Sequence, residues 1–378
     1  MTKAAELAKM GEVITNDQIG GRRNVIINGS QQVAQRATSV ADVGGSQGYF
    51  CTDRFKSTLS GTAARYTVSQ DSDAPAGFSK ALKYDVTTAD TSVAADEFHA
   101  ISYRAEGQDI SHFEWGTSDA KKCTFSFYAK ATAAQTVVVN FVRATSGTSR
   151  SVSKAFSITT SYQRFTFTLP ADTGGSAQVE TNAEGLAIHI GFGGGSNFTG
   201  GTINETWEDI TNNKRFAGVG NLASSTDNNF FITGIQLEVG SQATPFEHRS
   251  FGEELALCQR YYYKSMDGSP ADNIPNTDNT SSNGHLGIAM YSTTSGRLPY
   301  FKHPVQMRAD PSVTVYSSER ANTSGKFALF NQSSWVATAT STPVVDINRA
   351  SFSVTVSSGL TAGYIYLLAG GFDADAEL

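Results

Sequence analysis

The sequence of this 378-residue chain predicts an all-β fold: a jelly-roll β-sandwich followed by a smaller C-terminal β-sandwich, with a short N-terminal helix. Serine and threonine together account for 82 residues (42 Ser and 40 Thr), and glycine for 35 more, whereas charged residues make up only 17%. The chain also holds 23 Phe and 14 Tyr. This composition favours many short strands joined by polar turns over long helices.

Strand patterning runs through the region from about residue 45 to 247. Apolar and polar residues alternate in the segments 123–129, 165–169, 186–192 and 235–239. Alternation with a period of two buries one face of a strand and leaves the other in water. Many such strands separated by Gly, Asn and Ser turns predict a sandwich or jelly roll over residues 25–250. His189 alternates with core residues, so we expect it to point to the opposite sheet face in a structural role.

Two short helices are predicted outside this region. Residues 2–10 place Leu7 and Met10 at helical spacing, and such a short helix needs a partner because it is unstable alone in water. Residues 251–263 fit a second helix, which opens the segment 251–284 that ends as a polar connector. Residues 285–378 are again strand-like and form the predicted C-terminal β domain.

Three consecutive tyrosines close the segment of the second helix. Tyr261, Tyr262 and Tyr263 cannot all face one core, so at least one is expected to meet solvent or another surface. We therefore predict an interface between domains or subunits here, which includes Leu257 on the helix. Leu7 and Met10 are the other predicted interface residues.

Charge, hydropathy and cysteine content exclude several classes of protein. The net charge of −6 gives no basis for binding nucleic acid, and no apolar run is long enough to cross a membrane. The N-terminus lacks the apolar core of a secretory signal. The three cysteines, Cys51, Cys123 and Cys258, are few and far apart, which predicts buried free thiols in a chain made in a reducing cytoplasm.

No catalytic residue is predicted. The histidines are scattered, and no two of them are spaced i, i+4 as in a zinc protease. Asp96, Glu97 and Glu114 lie near aromatic residues, but among 35 acids some pair will meet the spacing for glycoside hydrolysis by chance. No cofactor is predicted either. A structural calcium ion held by Asp71 and Asp73 is an alternative to a simple solvated acidic loop.

Two tryptophans are candidates for glycan binding. Trp115 and Trp207 both lie next to polar turn residues, and an exposed indole would stack on a sugar ring. The competing interpretation is that both belong to the core of the sandwich.

Several blocks of sequence resemble a family of tailed-bacteriophage virion proteins of the marine-phage type, described as tail fibre or other appendage proteins. The most specific blocks are 231–240 (FITGIQLEVG), 243–249 (ATPFEHR) and 252–262 (GEELALCQRYY). Residues 23–29 (RNVIING) with 33–36 (VAQR), 304–311 (PVQMRADP) and 374–378 (ADAEL) are similar to other parts of the same family.

The resemblance implies a carbohydrate-binding-module-like jelly roll, a smaller C-terminal β domain and a homotrimer on the virion. Residues 1–24 would then anchor the chain to another virion protein, and a host surface polysaccharide would be a partner. The resemblance transfers no catalytic residue. It leaves two alternatives open. One is a capsid decoration or head-fibre protein, and the other is a polysaccharide depolymerase.

Overall fold

A computed structural model of the protein describes residues 22–265, 285–298, 300–316, 325–330, 335–337, 340–356 and 360–378. The predicted N-terminal helix, with Leu7 and Met10, lies outside these residues. The chain divides into two compact units, one reaching to Glu254 and including Leu378, the other spanning Leu255–Glu377. The described residues contain no helix with the length and apolarity needed to cross a lipid bilayer.

The first unit contains twelve strands in its described residues, and every pairing between them is antiparallel. In chain order they are β1 (Ser39–Val43), β2 (Lys56–Ser60), β3 (Arg65–Asp71), β4 (Ala81–Thr88), β5 (Phe98–Glu106), β6 (Cys123–Ala131), β7 (Gln135–Arg143), β8 (Arg150–Ile158), β9 (Gln163–Leu169), β10 (Glu184–Gly194), β11 (Glu208–Asp209) and β12 (Asn229–Val239). A one-turn helix, α1 (Ser196–Thr199), follows β10.

These strands form two six-stranded sheets. Sheet A has the order β1-β3-β4-β12-β6-β9, and sheet B has the order β11-β8-β7-β10-β5-β2. The chain passes repeatedly from one sheet to the other, so strands distant in sequence become neighbours. This arrangement confirms the predicted jelly-roll sandwich.

One hydrophobic core lies between the sheets. Phe125 of sheet A meets Phe141 of sheet B at 5.1 Å between ring centroids, and Tyr66 of sheet A meets Phe192 of sheet B at 5.8 Å. Both contacts are T-shaped, the edge-to-face geometry that aromatic quadrupoles favour. The alternation predicted from sequence is what places these side chains inward, because successive residues of a strand face opposite sides.

The second unit contains two further sheets. After helix α2 (Phe251–Gln259), its described strands are β13 (Tyr262–Lys264), β14 (His285–Met290), β15 (Ser295–Arg297), β16 (Phe301–Lys302), β17 (Ser312–Tyr316), β18 (Ala328–Phe330), β19 (Trp335–Ala337), β20 (Thr340–Asp346), β21 (Arg349–Thr355), β22 (Ile365–Ala369) and β23 (Gly371–Asp375). A three-stranded sheet, β13-β23-β17, and an eight-stranded sheet containing the other strands share one core.

This second unit is the smaller C-terminal sandwich that the sequence predicts. It starts before the predicted boundary at residue 285, because β13 pairs with β23 and so belongs to its three-stranded sheet. Helix α2 carries Glu253 and Glu254 in its first turn, where acidic side chains interact favourably with the helix dipole.

The three cysteines are free and buried, as predicted. Burial raises the pKa of the Cys51 thiol to about 12, so this side chain stays protonated and unreactive at neutral pH.

Candidate functional site

A straight row of polar side chains crosses the outer face of sheet B, the face directed away from the core. Lys56 on β2 is paired with Ser102 on β5, and Ser102 is paired with His189 on β10. His189 is in turn paired with Asn140 on β7, and Asn140 with Ser153 on β8. We call these five residues the polar row. Its members come from five different strands and meet only because the strands pair in this register.

His189 occupies the centre of the row and is 8% exposed. Its Nδ1 is hydrogen-bonded to Ser102 Oγ at 2.7 Å, and Thr58 Oγ1 donates to the same Ser102 Oγ at 2.8 Å. The buried Ser102 hydroxyl has no other acceptor for its own proton among the described residues, so we assign that proton to the bond with His189 Nδ1 and the proton of the neutral imidazole to Nε2. Nε2 has no hydrogen-bond partner among the residues that the structure describes. It is a donor without an acceptor.

Positive charge around His189 keeps the ring neutral. Burial lowers its pKa well below the usual value, and the nearby charges of Arg215, Arg104 and Lys56 lower it further. Adding a proton would place a fourth cation in a partly dehydrated site. At neutral pH the ring therefore stays uncharged and donates from Nε2.

The other half of the row holds Arg215 in place. Asn140 and Ser153 are fully buried, and Asn140 Nδ2 donates to Ser153 Oγ at 2.9 Å. Arg215 Nε donates to Asn140 Oδ1 at 3.1 Å, and Ser153 Oγ donates to the Arg215 carbonyl at 3.2 Å. The guanidinium carbon lies 4.8 Å from the centroid of the Phe98 ring, a cation–π contact.

The segment that contains Arg215 packs on the outer face of sheet B through a small apolar cluster. Phe216 is fully buried and lies 4.7 Å from Phe98 between ring centroids. It packs directly over Gly191, where a Cβ atom would stand 2.7 Å from the Phe216 ring. A glycine is needed at this point of β10 because any side chain would displace the aromatic ring. The cluster covers one end of the outer face and leaves the polar row beside it.

The predicted outward position of His189 is correct, whereas Ser102, Asn140, Ser153 and Arg215 were not predicted as site residues. The alternation of apolar and polar residues, which identified the outer face of β10, was the sequence signal that could have pointed to these residues. Applied to β5, β7 and β8, it would have selected the outward residues of each strand. Which of them align depends on register, and Arg215 lies in a loop without any period.

The two tryptophans predicted to stack on glycans lie in the core instead, and that prediction is wrong. Trp115 is fully buried and Trp207 is 9% exposed, with their rings 5.1 Å apart in a T-shaped contact. The indole N–H of Trp115 donates to the Lys121 carbonyl at 2.9 Å, and that of Trp207 to the Pro170 carbonyl at 2.8 Å. Their polar sequence neighbours reflect these hydrogen bonds, which buried indoles require.

The acids considered as calcium ligands are engaged by a side chain of the protein. Lys130 Nζ lies 2.5 Å from Asp73 Oδ2, and Asp71 Oδ1 accepts a hydrogen bond from the Asp73 N–H at 2.8 Å. A lysine ammonium therefore stands where a bound cation would have to lie. Within the described ranges, no three or more His, Cys, Asp or Glu side chains converge as metal ligands. Asp71 and Asp73 do not fit a calcium site.

Two of the three acids near aromatic residues, Glu97 and Glu114, are held by other groups of the chain. Glu97 is buried and accepts from the Ala94 N–H at 2.7 Å, with its other oxygen 2.9 Å from His99 Nε2. Glu114 faces Lys121 at 3.8 Å, and Asp96 is exposed. Burial lowers the pKa of His99, although Glu97 opposes this shift. The hydrogen bonds of Glu97 tie β5 to the preceding turn.

The tyrosine cluster packs within the chain. Tyr261 and Tyr262 are buried, and Tyr262 Oη donates to Asp373 at 3.2 Å. Tyr263 is half-buried and lies 6.0 Å from Phe372 between ring centroids. Tyr261 and Tyr262 are therefore covered within the single chain, and their role at an interface between domains or subunits stays a prediction. Leu257 is half-buried, and its role at an interface stays a prediction, as does that of Tyr263.

No protein-family model matches this sequence, and no curated protein matches it either. Solved structures with similarity include the enzymatically active domain of bacteriophage CBA120 tailspike protein 4, with a TM-score of 0.29 and 10% identity over 57% of this chain and 21% of that chain. The family 11 carbohydrate-binding module of Clostridium thermocellum Lic26A-Cel5E has a TM-score of 0.29 and 10% identity over 54% of this chain and 95% of the module.

A third similar structure is TmCBM61 in complex with β-1,4-galactotriose, with a TM-score of 0.27 and 10% identity over 58% of this chain and 99% of that chain. Similarity at this level does not establish a shared function, because one fold supports many functions.

Proposed function

We propose that this protein is a non-enzymatic structural protein of a bacteriophage virion, a trimeric tail fibre or appendage whose jelly-roll unit binds host surface glycans. The resemblance of residues 231–262 to phage appendage proteins supports the place on the virion. The single observation that carries the binding function is the polar row on the outer face of sheet B.

The chemistry of the row suits a sugar. Sugar hydroxyls both donate and accept hydrogen bonds, and the Nε2 donor of His189 and the half-buried guanidinium of Arg215 are the groups that such a ligand can reach. Ser102, Asn140 and Ser153 are fully buried and hold these two side chains in position. These groups are already hydrogen-bonded to one another, so little side-chain entropy is lost when a ligand binds. Arg215 and Phe98 add a flat surface beside the row.

The C-terminal unit supports assembly into an oligomer. On strand β22, Ile365 is 74% exposed and Leu367 is 46% exposed, and Tyr364 just before the strand is 54% exposed. Neighbouring apolar side chains on a sheet face are a usual sign of a surface that another chain covers. A homotrimer would sediment as three times 40.3 kDa. A monomer at micromolar concentration would contradict this part of the proposal.

Glycan binding is tested by screening the full chain against polysaccharides from host cell surfaces, followed by affinity measurements on variants. We expect His189→Ala and Asn140→Ala to weaken binding by about tenfold or more, since each removes a buried polar partner. Asn197→Ala is the matched control, because Asn197 is exposed in helix α1 and outside the row. Failure to bind any glycan, or equal affinity in all three variants, would overturn the proposed site.

Virion location is tested separately, by three-dimensional electron microscopy of the intact particle. A projection from the tail supports an appendage, whereas density on the capsid shell would make the protein a head decoration. Release of reducing ends from host capsule would contradict the non-enzymatic assignment.

A further inference from the structure

Positive charge is concentrated at the polar row, although the whole chain carries a net charge of −6. Lys56 forms one end of the row, and Arg215 covers the half that contains Asn140 and Ser153. Arg104 lies two residues from Ser102 on β5, on the same outer face. These three cations are the charges that act on His189. Because Glu184 pairs with Arg104, the positive charge of the row comes from Lys56 and Arg215.

The nearby acids do not neutralise Arg215, because each has a cation of its own. Glu184 pairs with Arg104 at 2.9 Å. Glu205 pairs with Lys154 at 2.8 Å, and Glu208 pairs with Lys214 at 2.9 Å. Among the described residues, no carboxylate lies within ion-pair distance of Arg215.

Arg215 is half-buried and held in a defined orientation. Its Nε is committed to Asn140, and its plane packs on Phe98. The two terminal nitrogens of the guanidinium have no protein acceptor among the described residues, and together they present parallel donors suited to a carboxylate or sulfate. Burial lowers the pKa of Arg215 to about 10, which leaves it charged at neutral pH and without a counter-ion in a partly dehydrated position.

Phe98 brings the two unsatisfied donors together. The His189 ring contacts Phe98 at 5.7 Å between centroids, and the Arg215 guanidinium lies 4.8 Å from the same ring. His189 and Arg215 are also joined through Asn140, which is paired with His189 and hydrogen-bonded to Arg215. Both side chains therefore lie against the same aromatic ring and the same amide.

We infer that the glycan recognised by the polar row is acidic, and that its carboxylate or sulfate group binds between Arg215 and the Nε2–H of His189. This inference rests on the proposed glycan-binding function and specifies its ligand class. An acidic polysaccharide is favoured over nucleic acid, because the row combines few cations with buried hydroxyl and amide groups. Nucleic acid requires many clustered cations to neutralise successive phosphates.

The experiment measures the affinity of the full chain for two matched pairs of polymers at two salt concentrations. Polygalacturonate is compared with its fully methyl-esterified form, and dextran sulfate with dextran. We expect the acidic member of at least one pair to bind about tenfold tighter, because a charge-assisted pair of hydrogen bonds is lost in the neutral member. The pair that discriminates identifies the group as carboxylate or sulfate. A single-stranded oligonucleotide serves as the competing anion.

Arg215→Gln is expected to remove most of this discrimination. Arg297→Gln removes the same charge from an exposed position in the other unit and is the matched control, for which we expect unchanged affinity. The wild-type comparison requires no variant, so it tests the inference even if Arg215→Gln does not fold.

The failures of the two proposals can be distinguished. If acidic and neutral polymers bind equally and Asn140→Ala abolishes both interactions, the inference of an acidic ligand is wrong and the proposed glycan-binding function remains. Absence of binding to any polymer or host polysaccharide would overturn both. Equal losses in Arg215→Gln and Arg297→Gln, or tighter binding of the oligonucleotide, would overturn the assignment of the site to an acidic glycan.

Discussion

The carboxylate of Glu247 accepts a hydrogen bond from the backbone N–H of Asn24 at 2.9 Å, although the two residues are 223 positions apart. The side chain of Asn24 extends the connection. Its Oδ1 accepts from the Leu237 N–H at 3.0 Å, and its Nδ2 donates to the Ile235 carbonyl at 3.1 Å. The start of the described chain is thus joined to strand β12 through buried polar groups.

Arg249 and Glu254 complete this connection. Arg249 donates to the Ile26 carbonyl at 3.2 Å and lies 3.3 Å from Glu254. Glu254 also accepts from the Asn28 N–H. Residues 23–29 therefore contact the segment 231–262 in space. We call these hydrogen bonds and ion pairs of Asn24, Glu247, Arg249 and Glu254 the clamp.

The clamp predicts a specific dependence of stability on pH. Burial raises the pKa of Glu247, but hydrogen bonds from the Asn24 and Arg23 amides and the charge of Arg249 outweigh this effect and hold it below the usual value. A carboxyl whose pKa is depressed in the folded state stabilises the fold above its unfolded pKa. That stabilisation is lost as the pH falls through the folded pKa.

We expect Glu247→Gln to lower the free energy of unfolding by about 1–3 kcal/mol at pH 7, as for other hydrogen bonds to charged groups. The difference from wild type should shrink as the pH falls below the ordinary pKa of a glutamate, about 4.3, and through the lower pKa of Glu247 in the folded state. Urea unfolding followed by tryptophan fluorescence at pH 7 and pH 3 measures both quantities. Glu180→Gln, at an exposed position, is the control. A pH-independent difference would argue against the clamp.

A buried ion pair between the loop after β9 and strand β7 is expected to be essential for folding of the first unit. Asp172 is 1% exposed and lies 2.8 Å from Nε of both Arg143 and Arg150. Asp172→Asn leaves Arg143 buried without a counter-ion, which costs about 3–5 kcal/mol.

Asp209→Asn is a matched control for this change. Asp209 pairs with the same Arg150 at 3.2 Å, but its side chain is 72% exposed, so the cost should stay within about 1 kcal/mol. Chemical denaturation of both variants compares them directly. Equal costs would show that burial does not determine the strength of these pairs.

The tryptophans are expected to affect stability and not ligand binding. Trp207→Phe removes the hydrogen bond to the Pro170 carbonyl and part of the contact with Trp115, at a cost of about 1–3 kcal/mol. Glycan affinity should remain that of the wild type, because Trp207 belongs to the core between the sheets. Calorimetric binding and urea unfolding of the same preparation test this. If Trp207→Phe keeps the stability of the wild type but loses glycan affinity, Trp207 is a binding residue after all.

Gly191 is expected to control the position of Arg215. In Gly191→Ala the new methyl group would overlap the Phe216 ring, and overpacking of this kind costs about 1–3 kcal/mol. Displacement of Phe216 moves its neighbour Arg215, so glycan affinity should fall together with stability. Gly147→Ala is the control, because a Cβ atom there meets nothing within 4 Å. If Gly191→Ala leaves the glycan affinity unchanged, the position of Arg215 does not contribute to glycan binding.

Much of the fold could be predicted from the sequence, because strand alternation is a local property. The segment 186–192 shows this well, since its even-numbered residues belong to the core between the sheets and its odd-numbered residues do not. The tryptophans show the limit of local reasoning. Polar neighbours suggested that Trp115 and Trp207 were exposed, whereas the loops around them fold back and bury both rings against each other.

The sequence by itself determined the all-β class, the two sandwiches, the free buried cysteines and the outward position of His189. Each follows from composition or from the period of two, which any strand obeys regardless of its partner. Only the tertiary structure decided which outward residues form one site. The five residues of the polar row align because their strands pair, although the paired strands lie up to about a hundred positions apart in the sequence. Arg215 reaches them from a loop. Register and loop packing depend on contacts between distant segments, which no local pattern encodes.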